Sequence, residues 1–166
     1  MLSDREIKAN LSALDAQFNS ATNTRDANFS SKLAVLEFCG WIEEAMDQIA
    51  EQCYLRCVSE SPNRKLCKEA IRGTNGFEYH QHFRRMLTSI IGQTGMERLE
   101  RKADGAKLDM LRSALSTLKT VRDGYAHSYL KGTTQTLSAP SFLISQFPAI
   151  ADGLREIEAR ISERTW

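Results

Sequence analysis

Arg122 and His127 are the pair of residues in this chain best suited to chemistry on a phosphodiester. Arginine is permanently cationic, and its planar fork matches phosphate oxygens, whereas histidine exchanges a proton near neutral pH. The two side chains suffice for RNA strand cleavage without a metal. The ribose 2′-hydroxyl attacks the adjacent phosphate, the imidazole carries the proton, and the guanidinium stabilises charge on the developing phosphorane.

The element that must position them is a helix running from about Ala106 to Tyr125 or beyond. Leu108, Leu111, Leu115 and Leu118 recur at spacings of three, four and three, as in the seam of a heptad. The same count lands next on Arg122, Tyr125 and Tyr129. A charge at a core-facing position must find a partner, reach solvent or line a cleft, because burying it unpaired costs several kcal/mol, on the order of a lost ion pair. A second reading keeps Arg122 at a frayed helix end, its stem covering apolar surface and its head in water. On an ideal helix His127 points about 140° away from Arg122. The pair converges only if the helix loosens at Gly124, a poor helix former, or if two chains meet across a two-fold axis.

The rest of the chain reads as further helices. Ser3 and Glu6 have the spacing of a capping box ahead of Ile7, Leu11, Leu14 and Phe18. A long second helix is expected from about Phe29 to Glu60, with an inward stripe that includes Leu33, Leu36, Cys39, Ile42, Met46, Ile49, Cys53, Tyr54 and Cys57. A shorter one spans about Pro62 to Arg72. Thr74-Asn75-Gly76 is a turn. A helix from Glu78 to Ile91 should stop at Gly92 and Gly95, with a short piece over Met96 to Lys102. The last helix covers about Ser141 to Ser162, with Pro148 kinking it or starting its main part. The expected fold is all-α: a single domain over residues 1–166, an up-and-down bundle of four to five helices with one long second helix.

A length of 166 residues, 42% apolar and 26% charged, with 9 glycines and 3 prolines, fits one globular domain and excludes disordered and fibrous classes. No secretory leader and no membrane-length apolar run is visible, so a cytoplasmic setting without membrane partners is expected. Cys39, Cys53, Cys57 and Cys67 then read as thiols or metal ligands and not as disulfides. Cys53, Cys57, Cys67, His80 and His82 suggest zinc only weakly, because the short Cys-x-x-Cys hook is missing; no metal and no cofactor is assigned. Net charge is +1 but unevenly spread. Residues 1–60 carry five basic and ten acidic side chains, while residues 84–131 carry ten basic and five acidic ones. Chance permits such an asymmetry, and a localised polyanion-binding face has the same footprint, so charge alone decides nothing.

The run Arg122-Asp123-Gly124-Tyr125-Ala126-His127 resembles the Arg-(polar)-x-x-x-His motif of HEPN domains, the higher-eukaryote and prokaryote nucleotide-binding family. Its extension to Tyr129 is similar to the Arg-x4-His-x-Tyr form of HEPN toxins that are paired with small nucleotidyltransferase antitoxins. The likeness covers about eight residues plus general helical character, and Asp123 stands where asparagine is commoner. It implies a HEPN-like bundle that homodimerises with its two motifs face to face. It also implies metal-independent endoribonuclease activity in defence or toxin–antitoxin settings. By motif position Arg122 and His127 would be catalytic, with Asp123 the polar residue supporting them. Tyr129 would be the hydroxyl that a partner nucleotidyltransferase modifies. Tyr125, Lys119 and Lys131 flank the motif as candidate RNA contacts.

The competing reading is a non-catalytic helical module that dimerises or binds a partner protein through the same seam. His80 and His82 are read as capping or surface groups, Glu43-Glu44 as a solvated face, and Trp41 as core or interface.

Overall fold

The computed structural model describes residues 3–126 and 137–163, all of them helical or in helix connections. Among these residues there are six α-helices where four to five were expected: α1 Arg5–Ser20, α2 Thr24–Cys57, α3 Ser61–Arg72, α4 Arg84–Lys102, α5 Gly105–Ala126 and α6 Pro140–Glu163. The separate segments read from sequence are present, Ser61–Arg72 among them, and the pieces on either side of Gly92 join into α4. A single π-helical turn, Tyr79–Phe83, leads into α4. The expected stop at Gly92 is a bend. Gly92 adopts φ 74°, ψ 168°, a conformation that favours glycine, and the chain resumes the helix through Gly95 to Lys102.

Two helix starts differ from expectation, and both for polar reasons. Ser3 and Glu6 form no capping box. Asp4 occupies the N-cap position, and its carboxylate is taken by Lys8 at 2.6 Å and by Arg155 of α6 at 2.6 Å. The Ser3 carbonyl instead accepts from the Trp41 indole at 3.0 Å. Helix α2 begins five residues before Phe29, because the Asn23 side chain accepts the Asp26 N–H at 2.9 Å and caps it. Two polar side chains of its early turns face inward. Asn28 and Ser31 are buried, and the Asn28 side-chain oxygen accepts the Leu137 N–H at 2.9 Å, fixing the chain just ahead of α6.

Helices α2 and α6 form the middle of the bundle. α2 packs on α1, α3, α4, α5 and α6, and α6 packs on α1, α2, α4 and α5. The apolar side chains of α2 at Phe38, Ile42, Met46, Ile49 and Cys53 are fully enclosed, as are Leu111, Leu115 and Leu118 of α5. Trp41 lies against Phe38 and Phe147, with ring centroids 6.0 and 5.0 Å away, and belongs to the packing. α5 and α6 touch most closely at Gly153, where an added Cβ would stand 2.5 Å from the Leu111 Cβ. The start of α5 is tied down too: the Asp104 carboxylate accepts the Lys107 N–H at 3.2 Å, and the Asp104 N–H donates to Glu156 of α6 at 3.1 Å.

One part of the expected α2 stripe is wrong. Leu33 and Leu36 point outward, 47% and 61% exposed, together with Phe29 at 48%, and Cys57 is also exposed. The inward face of this stretch is Ala34, Val35 and Phe38. Both faces of α2 are apolar there, so periodicity alone selected the wrong one. No helix among the described residues is long and apolar enough to cross a membrane.

Candidate active site

The leucine seam of α5 runs as expected through Leu108, Leu111, Leu115 and Leu118, each buried. At the next seam position the helix is reaching the edge of the bundle, and Arg122 is half-buried. Its guanidinium lies over Phe77, which is 2% exposed in the connection between α3 and the π turn; the guanidinium carbon is 5.4 Å from the ring centroid. An arginine there satisfies both demands of the position, covering an aromatic face while its charge stays at the surface.

Three charged side chains surround it. Arg122 donates from Nε and Nη2 to Asp123 Oδ1, both at 3.2 Å. The other Asp123 oxygen accepts from Lys119 Nζ at 2.9 Å. Across the helix interface, Glu43 of α2 places Oε1 3.9 Å from Arg122 Nη1, too far for a hydrogen bond but close enough to attract. Nη1 is therefore the guanidinium nitrogen that an incoming phosphate oxygen can take without breaking the Asp123 bonds.

The electrostatics follow from these contacts. The Lys119 ammonium first, and the Arg122 guanidinium after it, hold the Asp123 carboxyl below its ordinary range. Asp123 in turn raises Lys119. On α2, burial pushes the Cys39 thiol up to about 12, even though the Arg122 charge pulls it down. Partial burial, reinforced by the carboxylates of Glu43 and Glu44, raises Asp47. The site thus pairs a cationic ridge on α5 with an acidic ridge on α2.

The sequence-derived residues fall into two groups. Arg122, Asp123 and Lys119 are brought together as one hydrogen-bonded set. Tyr125 is half-buried on the core side, and its hydroxyl accepts the Ser138 N–H at 2.8 Å, so it anchors the chain before α6. His127, Tyr129 and Lys131 lie outside the described residues. Glu43 and Phe77 belong to the site and were not read from sequence as part of it. Glu43 is separated from Arg122 by nearly half of the chain, and only the docking of α5 on α2 brings them together.

A second ionic cluster lies further back on α5. Glu100 of α4 accepts from Arg84 Nε at 3.1 Å, from Arg112 Nη2 at 3.1 Å and from the Tyr79 hydroxyl at 2.9 Å. Arg112 also stacks over the Tyr79 ring at 4.7 Å. Burial, then the Glu100 carboxylate, raises the Tyr79 phenol above its usual value. This cluster fixes the π turn to α4 and α5. It removes Arg84 and Arg112 from the set of cations open to a ligand, leaving Arg85, Arg98, Arg101 and Lys102 exposed without an acidic partner among the described residues.

None of the four cysteines forms a disulfide, and no group of three or more His, Cys, Asp or Glu side chains among the described residues is arranged to hold a metal ion. Comparison with protein-family models found no match, and searches of curated proteins and of solved structures found none either.

Proposed function

We propose that this protein is a metal-independent endoribonuclease of the HEPN type, acting as a homodimer in the cytoplasm in defence or toxin–antitoxin biology. The observation that carries the reading is Arg122. It takes the seam position after Leu118, is held at the surface over Phe77, and keeps Nη1 beyond hydrogen-bond distance of any carboxylate among the described residues. In the proposed reaction the 2′-hydroxyl loses its proton to His127 and attacks the adjacent phosphorus. The P–O5′ bond breaks, the 5′ oxygen leaves with a proton returned by the imidazolium so formed, and the products are a 2′,3′-cyclic phosphate and a free 5′-hydroxyl. Arg122 stabilises the charge that accumulates on the phosphorane oxygens, and Asp123 orients the guanidinium.

The homodimer has a candidate surface. Phe29, Leu33 and Leu36 follow one another at spacings of four and three, and the same spacing continues through Gly40 to Glu43, the residue facing Arg122. An exposed apolar stripe leading to the candidate site is the kind of surface a second subunit covers. In that arrangement each chain would bring its own motif to a shared cleft. The resemblance to the toxin type extends the reading to a nucleotidyltransferase antitoxin that modifies Tyr129.

A second reading rests on Asp123. Its bonds to Arg122 and Lys119 offset both cations, as suits a dimerising or partner-binding module without catalysis. The two readings separate in one assay. Wild type, Arg122→Ala and His127→Ala are incubated with total RNA and with tRNA in EDTA. Cleavage by wild type alone, leaving 2′,3′-cyclic phosphate ends, supports the ribonuclease. No cleavage, or equal cleavage by all three, leaves the binding module.

A further inference from the structure

Between the C-terminal end of α3 and the start of α4 lies an open cavity of about 480 Å³, lined by Thr74, Asn75, Gln81, His82, Arg85 and Ser89 among others. Its lining holds one permanent cation, two carboxamides, hydroxyls and an imidazole, and no carboxylate. Arg85 is exposed and has no ion pair among the described residues, unlike its neighbour Arg84 on Glu100. The carbonyls at the end of α3 do not compete for it: Glu69 and Ile71 accept backbone N–H groups of Gly73 and Thr74, and Ala70 accepts the Thr74 hydroxyl.

The imidazole in this wall is built in. Gly76, at φ +124°, has no Cβ, and one placed there would stand 2.8 Å from the His82 ring. The ring occupies that space and accepts the Glu78 N–H on Nδ1 at 3.1 Å, which puts the proton of the neutral ring on Nε2. The same connection then carries Phe77, on which Arg122 rests. Residues 73–78 thus contribute both to the cavity, through Gly73, Thr74 and Asn75, and to the Arg122 site, through Phe77.

We infer that this cavity is a nucleotide subsite for single-stranded RNA, with Arg85 on a phosphate and Asn75, Gln81 and His82 meeting the base of a nucleotide neighbouring the one at Arg122. The inference rests on the ribonuclease reading for its ligand. The chemistry is the one that reads unstacked RNA: a fork for the backbone, amides for base edges and a ring for stacking. The volume lies within the range of small-ligand sites, roughly 300–1,000 Å³.

The test measures binding apart from cleavage, using a short fluorescent 2′-O-methyl oligoribonucleotide that cannot undergo 2′-hydroxyl attack. Wild type, Arg85→Glu, Arg85→Ala and Arg98→Glu are compared by fluorescence anisotropy across a salt series, with circular dichroism confirming the fold. Arg98 is an exposed arginine of α4 outside the cavity lining. Arg85→Glu should weaken binding about tenfold or more, and Arg85→Ala should lower the salt slope by about one. Arg98→Glu should do clearly less. Equal losses for Arg85→Glu and Arg98→Glu, no loss for either, or no binding by wild type would overturn the subsite. Binding that depends on Arg85 in a protein that never cleaves unmodified RNA would keep the subsite and remove the nuclease. Cleavage that depends on Arg122, with binding indifferent to Arg85, would do the reverse.

Discussion

Arg112 and Arg122 lie ten residues apart on α5, and each stacks on an aromatic ring from the segment that joins α3 to α4. Arg112 covers Tyr79 at 4.7 Å, and Arg122 covers Phe77 at 5.4 Å. Their surroundings diverge from there. Arg112 gives one terminal nitrogen to Glu100, a carboxylate whose side chain is 18% exposed and already shared with Arg84 and Tyr79, and the other to Asp109. It makes these bonds even though its Nε is buried without a partner. Arg122 is held by its own neighbour Asp123 and faces Glu43 only at 3.9 Å. One arginine is committed to joining three elements. The other is positioned but keeps a nitrogen open at the surface. The two side chains are almost equally exposed, 30% and 36%, so what separates them is whether both terminal nitrogens are hydrogen-bonded to a carboxylate or one is left open.

That contrast can be broken or sharpened by substitution, beginning where the effect should be greatest. Glu100→Ala strands Arg84 and Arg112 together and takes away the Tyr79 acceptor. It should lower stability by about 2–3 kcal/mol, less than for a fully buried pair because water still reaches the cluster, as read from urea unfolding. A cost below about 1 kcal/mol would mean that the cluster is no tighter than a surface pair. Gly153→Ala tests the packing that places both arginines, since the new Cβ overlaps Leu111; a loss of about 1–3 kcal/mol is expected in the same experiment.

Leu33→Glu combined with Leu36→Glu should convert the proposed dimer to a monomer in light scattering with little change in the unfolding midpoint, because neither side chain is in the core. An unchanged mass would remove that stripe from the interface. Asp123→Asn keeps an oxygen to orient the Arg122 guanidinium but removes the negative charge that offsets it, and should raise RNA cleavage severalfold, measured under single turnover. A fall would show that the charge of Asp123 supports the guanidinium instead of blunting it.

The smallest effect concerns pH. Hydrogen bonds from Lys8, then Arg155, lower the Asp4 carboxyl. A lowered folded value means that the contribution is present above the unfolded carboxylate range, near 3.9, and is lost as pH falls through the folded value. Asp4→Asn should therefore flatten the acid limb of the stability profile and leave its basic limb unchanged.

Much of this arrangement was legible in the residues. Helix positions followed from apolar spacing, and the α5 seam through Leu118 is as the heptad count has it. What spacing could not supply were the polar contacts between distant segments. Buried Asn28, in the early turns of α2, holds Leu137, and Asp4 is drawn off its helix end by Arg155, more than a hundred residues on in both cases. Leu33 and Leu36 look like core because they are leucines at helical intervals, yet the helix buries the face carrying Ala34 and Val35. At the site, Arg122 was visible as a break in a pattern. Glu43 was not, since a glutamate on a long helix has no sequence mark that distinguishes it from a solvated one.

The central claim is that Arg122 acts on RNA while Arg112 holds the fold. The most direct test measures cleavage rate per folded molecule and melting temperature for Arg122→Ala and Arg112→Ala side by side. Arg122→Ala should lose about a hundredfold or more in rate, as removal of one charge-stabilising donor does, with its melting temperature nearly unchanged. Arg112→Ala should melt lower and keep its rate once corrected for the folded fraction. Equal rates for Arg122→Ala and wild type, or a loss in Arg122→Ala that merely tracks its melting temperature, would contradict the account.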